Sequence, residues 1–403
     1  MQPDLNTQQP DLTALERERR SAERDGRLID LIDTNFSANG LRYPLERLHD
    51  TVAAFLRVAR YHPHSQGDPV ARAAIAAWYH RDAGLTVMPE AVVITASASE
   101  SYGLIFQALA SAGDRVLLPE PGYPLFEHVA TYHRLTTTCY RLRFDEEFRI
   151  TEEALERAVT ADCRFLVLIS PNNPTGRVAE PLEVAAVLRV CRRHRLILIC
   201  DEVFSPYRYP PEATEGRPPL PRPMADAEEV LVLTINGISK LRATPELKLS
   251  WIVAHGPVSL VREAIPPLAL ANDMYLSCTP LSQHLLPHLL EDLEHEQMLY
   301  RSVAERRRIL LDRVDGMGIL ELCCPNGGIH AVSRLRLDMV PELLRDDERC
   351  ALRLLRDTGV HLHPGYLYGI VDDQCLVLSF LKAPNPLAEG LERVGEWTRR
   401  VAR

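Results

Sequence analysis

FLVLIS at 165–170, LILIC at 196–200 and LVLTI at 231–235 decide how this chain folds. Each is a short run rich in Leu, Ile and Val, bounded by charged or turn residues. Such a run reads as a strand buried on both faces, the pattern of a parallel sheet. Each run leads into a polar group of residues: Asn-Pro-Thr-Gly at 173–176, Asp201-Glu-Val-Phe204 and Gly237-Ile-Ser-Lys240. In an open α/β sheet, ligands collect just beyond the carboxyl ends of the strands. Asn173, Asp201 and Lys240 sit at or shortly after those ends. One of them alone would say little, but three in this order are a specific signal.

Outward from this centre the same texture continues. VVITAS (92–97) reads as a strand, SESYGLIFQALASAG (99–113) as the helix after it, and RVLLPEPGYP (115–124) as a strand closed by a Pro-Gly turn. ARAAIAAWYHRDAG (71–84) reads as an amphipathic helix stopped by Gly84. Alternation of strands and helices to about residue 255 predicts an α/β fold with a mainly parallel sheet. Residues 205–228 break the pattern with Pro206, Pro210, Pro211, Pro218, Pro219, Pro221 and Pro223, and read as an inserted surface loop. After residue 285 long helical patterns give way to GGIHAVSRL (327–335) and CLVLSFL (375–381), the texture of a smaller α+β domain. The expected division is an N-terminal arm and loop packing on the small domain (1–45), a large domain (46–285) and a small C-terminal domain (286–403).

Composition bounds the function. A chain of 403 residues exceeds the usual size of a single core. Its net charge of −9 gives no electrostatic footprint for nucleic acid or an anionic membrane. Arg306-Arg307-Arg308 reads as a solvated helix face. No apolar run approaches the ~20 residues needed to span a bilayer, and the polar N-terminus lacks the core of a signal peptide. The cysteines lack paired or metal-ligand spacing, so reduced cytosolic thiols and no metal site are expected.

The motifs carry a resemblance. The chain resembles the class I/II aminotransferases, pyridoxal-phosphate enzymes of fold type I, from about Asn35 to Phe380. Beside the three groups above, it has Tyr61-x5-Gly67, Thr95-Ala-Ser-Ala-Ser-Glu100, Glu120-Pro-Gly-Tyr-Pro124 and Lys248-Leu-Ser-Trp251. Gly327-Gly328 and Leu378-Ser379-Phe380 are similar more loosely. The resemblance implies exchange of an amino group between a small-molecule amino acid and a 2-oxo acid, in a cytoplasmic homodimer with shared active sites.

It also implies roles. Lys240 would hold the cofactor aldehyde covalently and move a proton at the substrate α-carbon. Asp201 would pair with the protonated pyridine nitrogen, and Asn173 would bond the ring hydroxyl. Tyr123 takes the ring-stacking place. Ser97, Ala98 and Ser99, where strand passes into helix, would hold the phosphate with Ser239, Lys248 and the neighbouring subunit's Tyr61. Taken singly, these residues also fit ordinary structure: a surface lysine, a helix cap, a plain turn, a core tyrosine.

Departures from the family pattern are specific. Phe204 stands where many members have Tyr, Lys248 where a phosphate-binding Arg is usual, and Gly237 where Ser is common. Lys keeps the charge at 248 but loses the bidentate fork. Val377 stands where an Arg commonly grips the substrate α-carboxylate. Arg42, in the loop 35–44, is the leading substitute, with Asn35 as a neutral donor and Lys382 as a weaker alternative. A surface ion pair is the other reading of Arg42. With that Arg absent, the same cofactor also admits elimination, cyclisation or oxidation of an amino acid.

Overall fold

The computed structural model describes residues 13–58, 62–210 and 217–402, and these fall into two compact units. One comprises Asn35–Glu305 with Cys324–His330; the other comprises the chain through Thr34, Arg306–Cys323 and Ala331–Arg403. The borders thus fall near residues 34 and 305, where the sequence reading put them at 45 and 285.

The larger unit is built on seven strands: β1 (Val92–Thr95), β2 (Arg115–Glu120), β3 (Thr136–Arg141), β4 (Cys163–Ile169), β5 (Ile197–Asp201), β6 (Val232–Gly237) and β7 (Ser250–His255). Their spatial order is β1-β7-β6-β5-β4-β2-β3. Neighbours from β6 to β3 run parallel. β7 runs antiparallel to both of its neighbours. Between Gly237 and Ser250 the chain makes only a one-turn helix and a 3-10 turn, so no crossover helix carries it back to the far end. Phe165, Val167 and Ile169 join Ile197, Ile199, Leu233 and Ile235 in a single core cluster. Leu166, Leu168, Leu198 and Cys200 are buried as well, which explains why these strands lack alternation.

This topology brings separate segments to one sheet edge. Ser250 lies opposite both Thr95 and Gly237, so the carboxyl ends of β1 and β6 flank the start of β7. Asp201 lies opposite Ile169 and Ile235, which puts the ends of β4, β5 and β6 side by side. Helix α1 (Pro69–Ala83) begins with the Asp68 side chain accepting from the backbone N–H of Val70 and Ala71. It ends at Gly84, whose φ of 68° is the left-handed conformation that glycine reaches without strain. Helix α2 (Ala98–Leu109) leaves the edge directly after β1.

Two surface readings are corrected. Within the described part of 205–228, Tyr207, Arg208, Tyr209, Arg222 and Met224 are buried, so 205–210 and 220–224 are packed into the protein and not laid over it. Prolines keep it out of the sheet but do not keep its side chains out of the core. Of the three consecutive arginines, Arg306 is buried while Arg308 is exposed and pairs with Asp312, because the helix Leu293–Leu311 turns only one side to solvent.

The smaller unit holds a four-stranded sheet, antiparallel in its two outer pairs, and a parallel pair, Ile29–Asp30 with Val360–His361. The helix Ala14–Arg24 packs on Asp347–Thr358 within it. Its strand Cys375–Ser379 is buried along its whole length, Val377 included. No helix among the described residues is long and apolar enough to cross a membrane.

Candidate active site

Lys240 lies in the single turn α3 (Ile238–Leu241) that follows β6. Its side chain is half-buried, and Nζ sits 5.3 Å from the centre of the Phe36 ring. Its carbonyl accepts a hydrogen bond of 2.8 Å from the Tyr207 hydroxyl. Gly237 is required here by close approach: a Cβ on it would lie 2.2 Å from Ser250 Oγ.

Asp201 is the last residue of β5 and is buried. One carboxyl oxygen accepts from the Val203 N–H at 3.0 Å, the other from the Tyr102 hydroxyl at 3.1 Å. Burial pushes the carboxyl up to about 6 against the pull of these two donors, and neighbouring Glu202 adds to the rise. Tyr102 is itself fully buried, its ring 4.4 Å from that of Phe126, and burial keeps its phenol protonated as a donor.

A carboxyl whose folded value lies above its unfolded one weakens the fold once it ionises. The contribution is nil below about pH 4, where both states are protonated, and the penalty grows as pH rises through 6. In cofactor-free protein, Asp201→Asn should therefore stabilise the chain. By urea unfolding the gain should be larger at pH 8 than at pH 5 by roughly 1–2 kcal/mol. A gain independent of pH would mean the carboxyl is not strained.

Asn173 is half-buried in its Asn-Pro turn, and its Oδ1 has no hydrogen-bond partner among the described residues. An unsatisfied buried acceptor costs about 1–3 kcal/mol. Asn172 organises the turn, its Oδ1 accepting from Thr175 N at 3.1 Å and Thr175 Oγ1 at 2.9 Å.

At the start of α2, Ser97 Oγ accepts from Glu100 N at 3.1 Å, while Glu100 accepts from Ala96 N. Ala98 and Ser99 contribute first-turn N–H groups, which a helix cannot pair internally. Tyr123 is 43% exposed and packs edge-on against Phe126 at 5.6 Å. Ser239 is half-buried beside Lys240, and Lys248 is exposed with φ of 46°. Phe204 is buried, edge-on to His330 at 6.1 Å. Tyr207 does not replace the hydroxyl missing at 204, since its own is spent on Lys240. Tyr61 lies outside the described residues.

The substrate candidates differ. Asn35 Oδ1 accepts from Ala38 N at 3.2 Å and so shapes its own turn. Arg42 is exposed between buried Leu41 and Tyr43, and no ion pair to it forms among the described residues. Lys382 pairs with Asp33 at 3.5 Å.

Sequence reading missed Phe36, Tyr102 and Tyr207. Phe36 touches Lys240 across a long sequence separation, and nothing in its local sequence marks it. Tyr102 could have been suspected, because it lies one helical turn beyond Ser97-Ala98-Ser99, on the helix those residues open.

Asp201 and Lys240 thus lie at the ends of adjacent parallel strands, with the Asn173 turn after the next strand and the start of α2 at the same sheet edge. The chain belongs to the class I and II aminotransferases, whose family profile matches residues 32–393. It is an amino-group transferase of α/β fold. It is 27% identical over 370 residues to nicotianamine aminotransferase A of Hordeum vulgare, covering 87% of this chain and 76% of that one. It is 29% identical over 338 residues to a valine–pyruvate aminotransferase of Mycobacterium tuberculosis, covering 82% and 81%. Among solved structures, the alanine aminotransferase of Pyrococcus furiosus superposes with a TM-score of 0.87 at 21% identity, covering 96% of each chain.

Proposed function

We propose that the chain is a pyridoxal 5′-phosphate-dependent aminotransferase exchanging an amino group between an amino acid and a 2-oxo acid. The observation that carries the reading is Asp201 and Lys240 at the ends of adjacent strands, with the unsatisfied Asn173 amide one strand further along. When bound, the cofactor would supply an electron sink for the pair released at the substrate α-carbon. Lys240 would hold it and carry the proton at that carbon. Asp201 would keep the ring nitrogen charged, and its two existing donors leave each oxygen a free lone pair. Asn173 would satisfy its Oδ1 on the ring hydroxyl. Tyr123 would cover the ring, and Ser97, Ala98, Ser99, Ser239 and Lys248 would hold the phosphate. Mixing the protein with single amino acids and following cofactor absorbance with product mass tests this. The expected result is the amine form of the cofactor with a 2-oxo acid. Release of ammonia, loss of a side-chain group or oxygen consumption would replace transfer with another reaction.

The substrate carboxylate needs a cation, since a charge left unpaired in a dry site is costly. We assign that role to Arg42, which the fold leaves exposed and without an ion pair among the described residues. Arg42→Ala should lower kcat/KM by roughly 10- to 150-fold, the worth of about 1.5–3 kcal/mol. An unchanged kcat/KM places the clamp elsewhere.

The assembly we propose is a cytoplasmic homodimer with Tyr61 reaching the partner's phosphate site. Sedimentation should give a dimer at working concentration, and a fully active monomer would contradict shared sites.

A further inference from the structure

The proline-rich segment ends up against both catalytic turns. Tyr207 donates to the Lys240 carbonyl at 2.8 Å. Arg222 bridges two carboxylates, with Nε 2.8 Å from Glu202 and Nη2 2.9 Å from Asp82 at the end of α1. Glu202 directly follows Asp201, and its carbonyl accepts from Ser205 N at 2.8 Å to close the turn that aims Val203 N at Asp201. Arg217 extends the chain of charges, 3.6 Å from Asp82 and 2.7 Å from Glu296. Glu296 pairs in turn with Arg242 at 2.8 Å, two residues past Lys240. Arg242 is fully buried and also donates to the carbonyls of Leu289 at 2.6 Å and Leu290 at 3.0 Å.

We propose that Tyr207, Arg217 and Arg222, from the described parts of this segment, form a cross-brace for the active site, in which Arg222 is a positioning residue for Asp201, and Tyr207 and Arg217 position the Lys240 turn. The inference rests on the function proposed above and adds the residues that hold its two central side chains. Side chains of Arg222, Glu202, Asp82 and Glu296 are all nearly inaccessible. Charges so deeply buried are tolerated only when paired, and removing one partner strands the other. Without Arg222, Glu202, adjacent to Asp201, would lose its ion-pair partner and keep only the weaker influence of buried Arg208. A buried carboxylate that loses this partner turns toward other donors, which disturbs the turn that orients Asp201. A loop serving only to cover the surface would have no need to carry arginines to these two points.

The test compares Arg222→Met, Glu202→Gln/Arg222→Met and Arg222→Lys with the wild type. It measures the Kd of apoprotein for pyridoxal phosphate, the absorbance of the bound cofactor, kcat and apoprotein Tm. Arg222→Met should weaken cofactor binding by about tenfold or more and alter the absorbance of what binds. The double variant, which leaves no stranded charge at 202, should recover most of that loss, and Arg222→Lys, which keeps the charge but cannot bridge Glu202 and Asp82 through two nitrogens, should fall between the single variant and wild type. Wild-type binding in Arg222→Met, or a double variant no better than the single one, overturns the proposal. If Arg222→Met does not fold, the double variant decides: a loss of tenfold or more overturns the proposal, and a smaller loss supports it. A wild type that takes up no pyridoxal phosphate would instead defeat the function proposed above.

Discussion

Lys240→Ala should lose turnover by roughly 10²–10⁴-fold or more, the range for removing a positioned proton-transfer group. Two functions disappear together, because the same amine holds the cofactor aldehyde and carries the proton at the α-carbon. The fold should survive. The turn α3 is set by backbone contacts, with the Tyr207 hydroxyl on the Lys240 carbonyl and Arg242 N bonded to the Ile238 carbonyl at 2.9 Å. The variant should therefore still bind pyridoxal phosphate through Asp201, Asn173 and the start of α2. Turnover within tenfold of wild type would remove Lys240 from the chemistry.

Asp201→Asn should be nearly as damaging, on the order of 10²-fold or more in kcat, since it replaces a charge-assisted bond with a neutral one. An amide of the same shape keeps the contacts with Val203 N and Tyr102 only in part, because its nitrogen cannot accept. More importantly, it cannot keep a pyridine nitrogen charged. The same variant is expected to stabilise cofactor-free protein near neutral pH. Opposite signs in activity and stability at one residue would mark a carboxylate retained for function at a cost to the fold. Near-normal turnover would show that the ring nitrogen is managed by another group.

Much of this was legible in the chain because the governing patterns are local. Three aliphatic runs give the inner strands, since residues buried on both faces need no alternation. The polar residues ending those runs put Asn173, Asp201 and Lys240 at one sheet edge, since parallel strands bring their carboxyl ends together. The antiparallel β7 was not legible, because its run of apolar residues looks the same in either direction. Phe36 and Tyr102 reach the site through tertiary contacts without periodicity. The burial of Arg222 was hidden by the prolines around it, which exclude helix and inner strand but leave burial undecided. Arg306 was misread because three consecutive arginines look solvated until the helix phase assigns the first one inward. The unit borders escaped because Leu293–Leu311 continues as one helix through the border at Glu305.

The scarcity of lysine makes the central claim unusually easy to test. The chain has only three: Lys240, Lys248 and Lys382. Borohydride reduction of the protein with pyridoxal phosphate, followed by proteolysis and mass analysis, reports which of them holds the cofactor. Stoichiometric label on the peptide containing Lys240 is the expected result. Label on Lys248 or Lys382 instead, or on none, would contradict it.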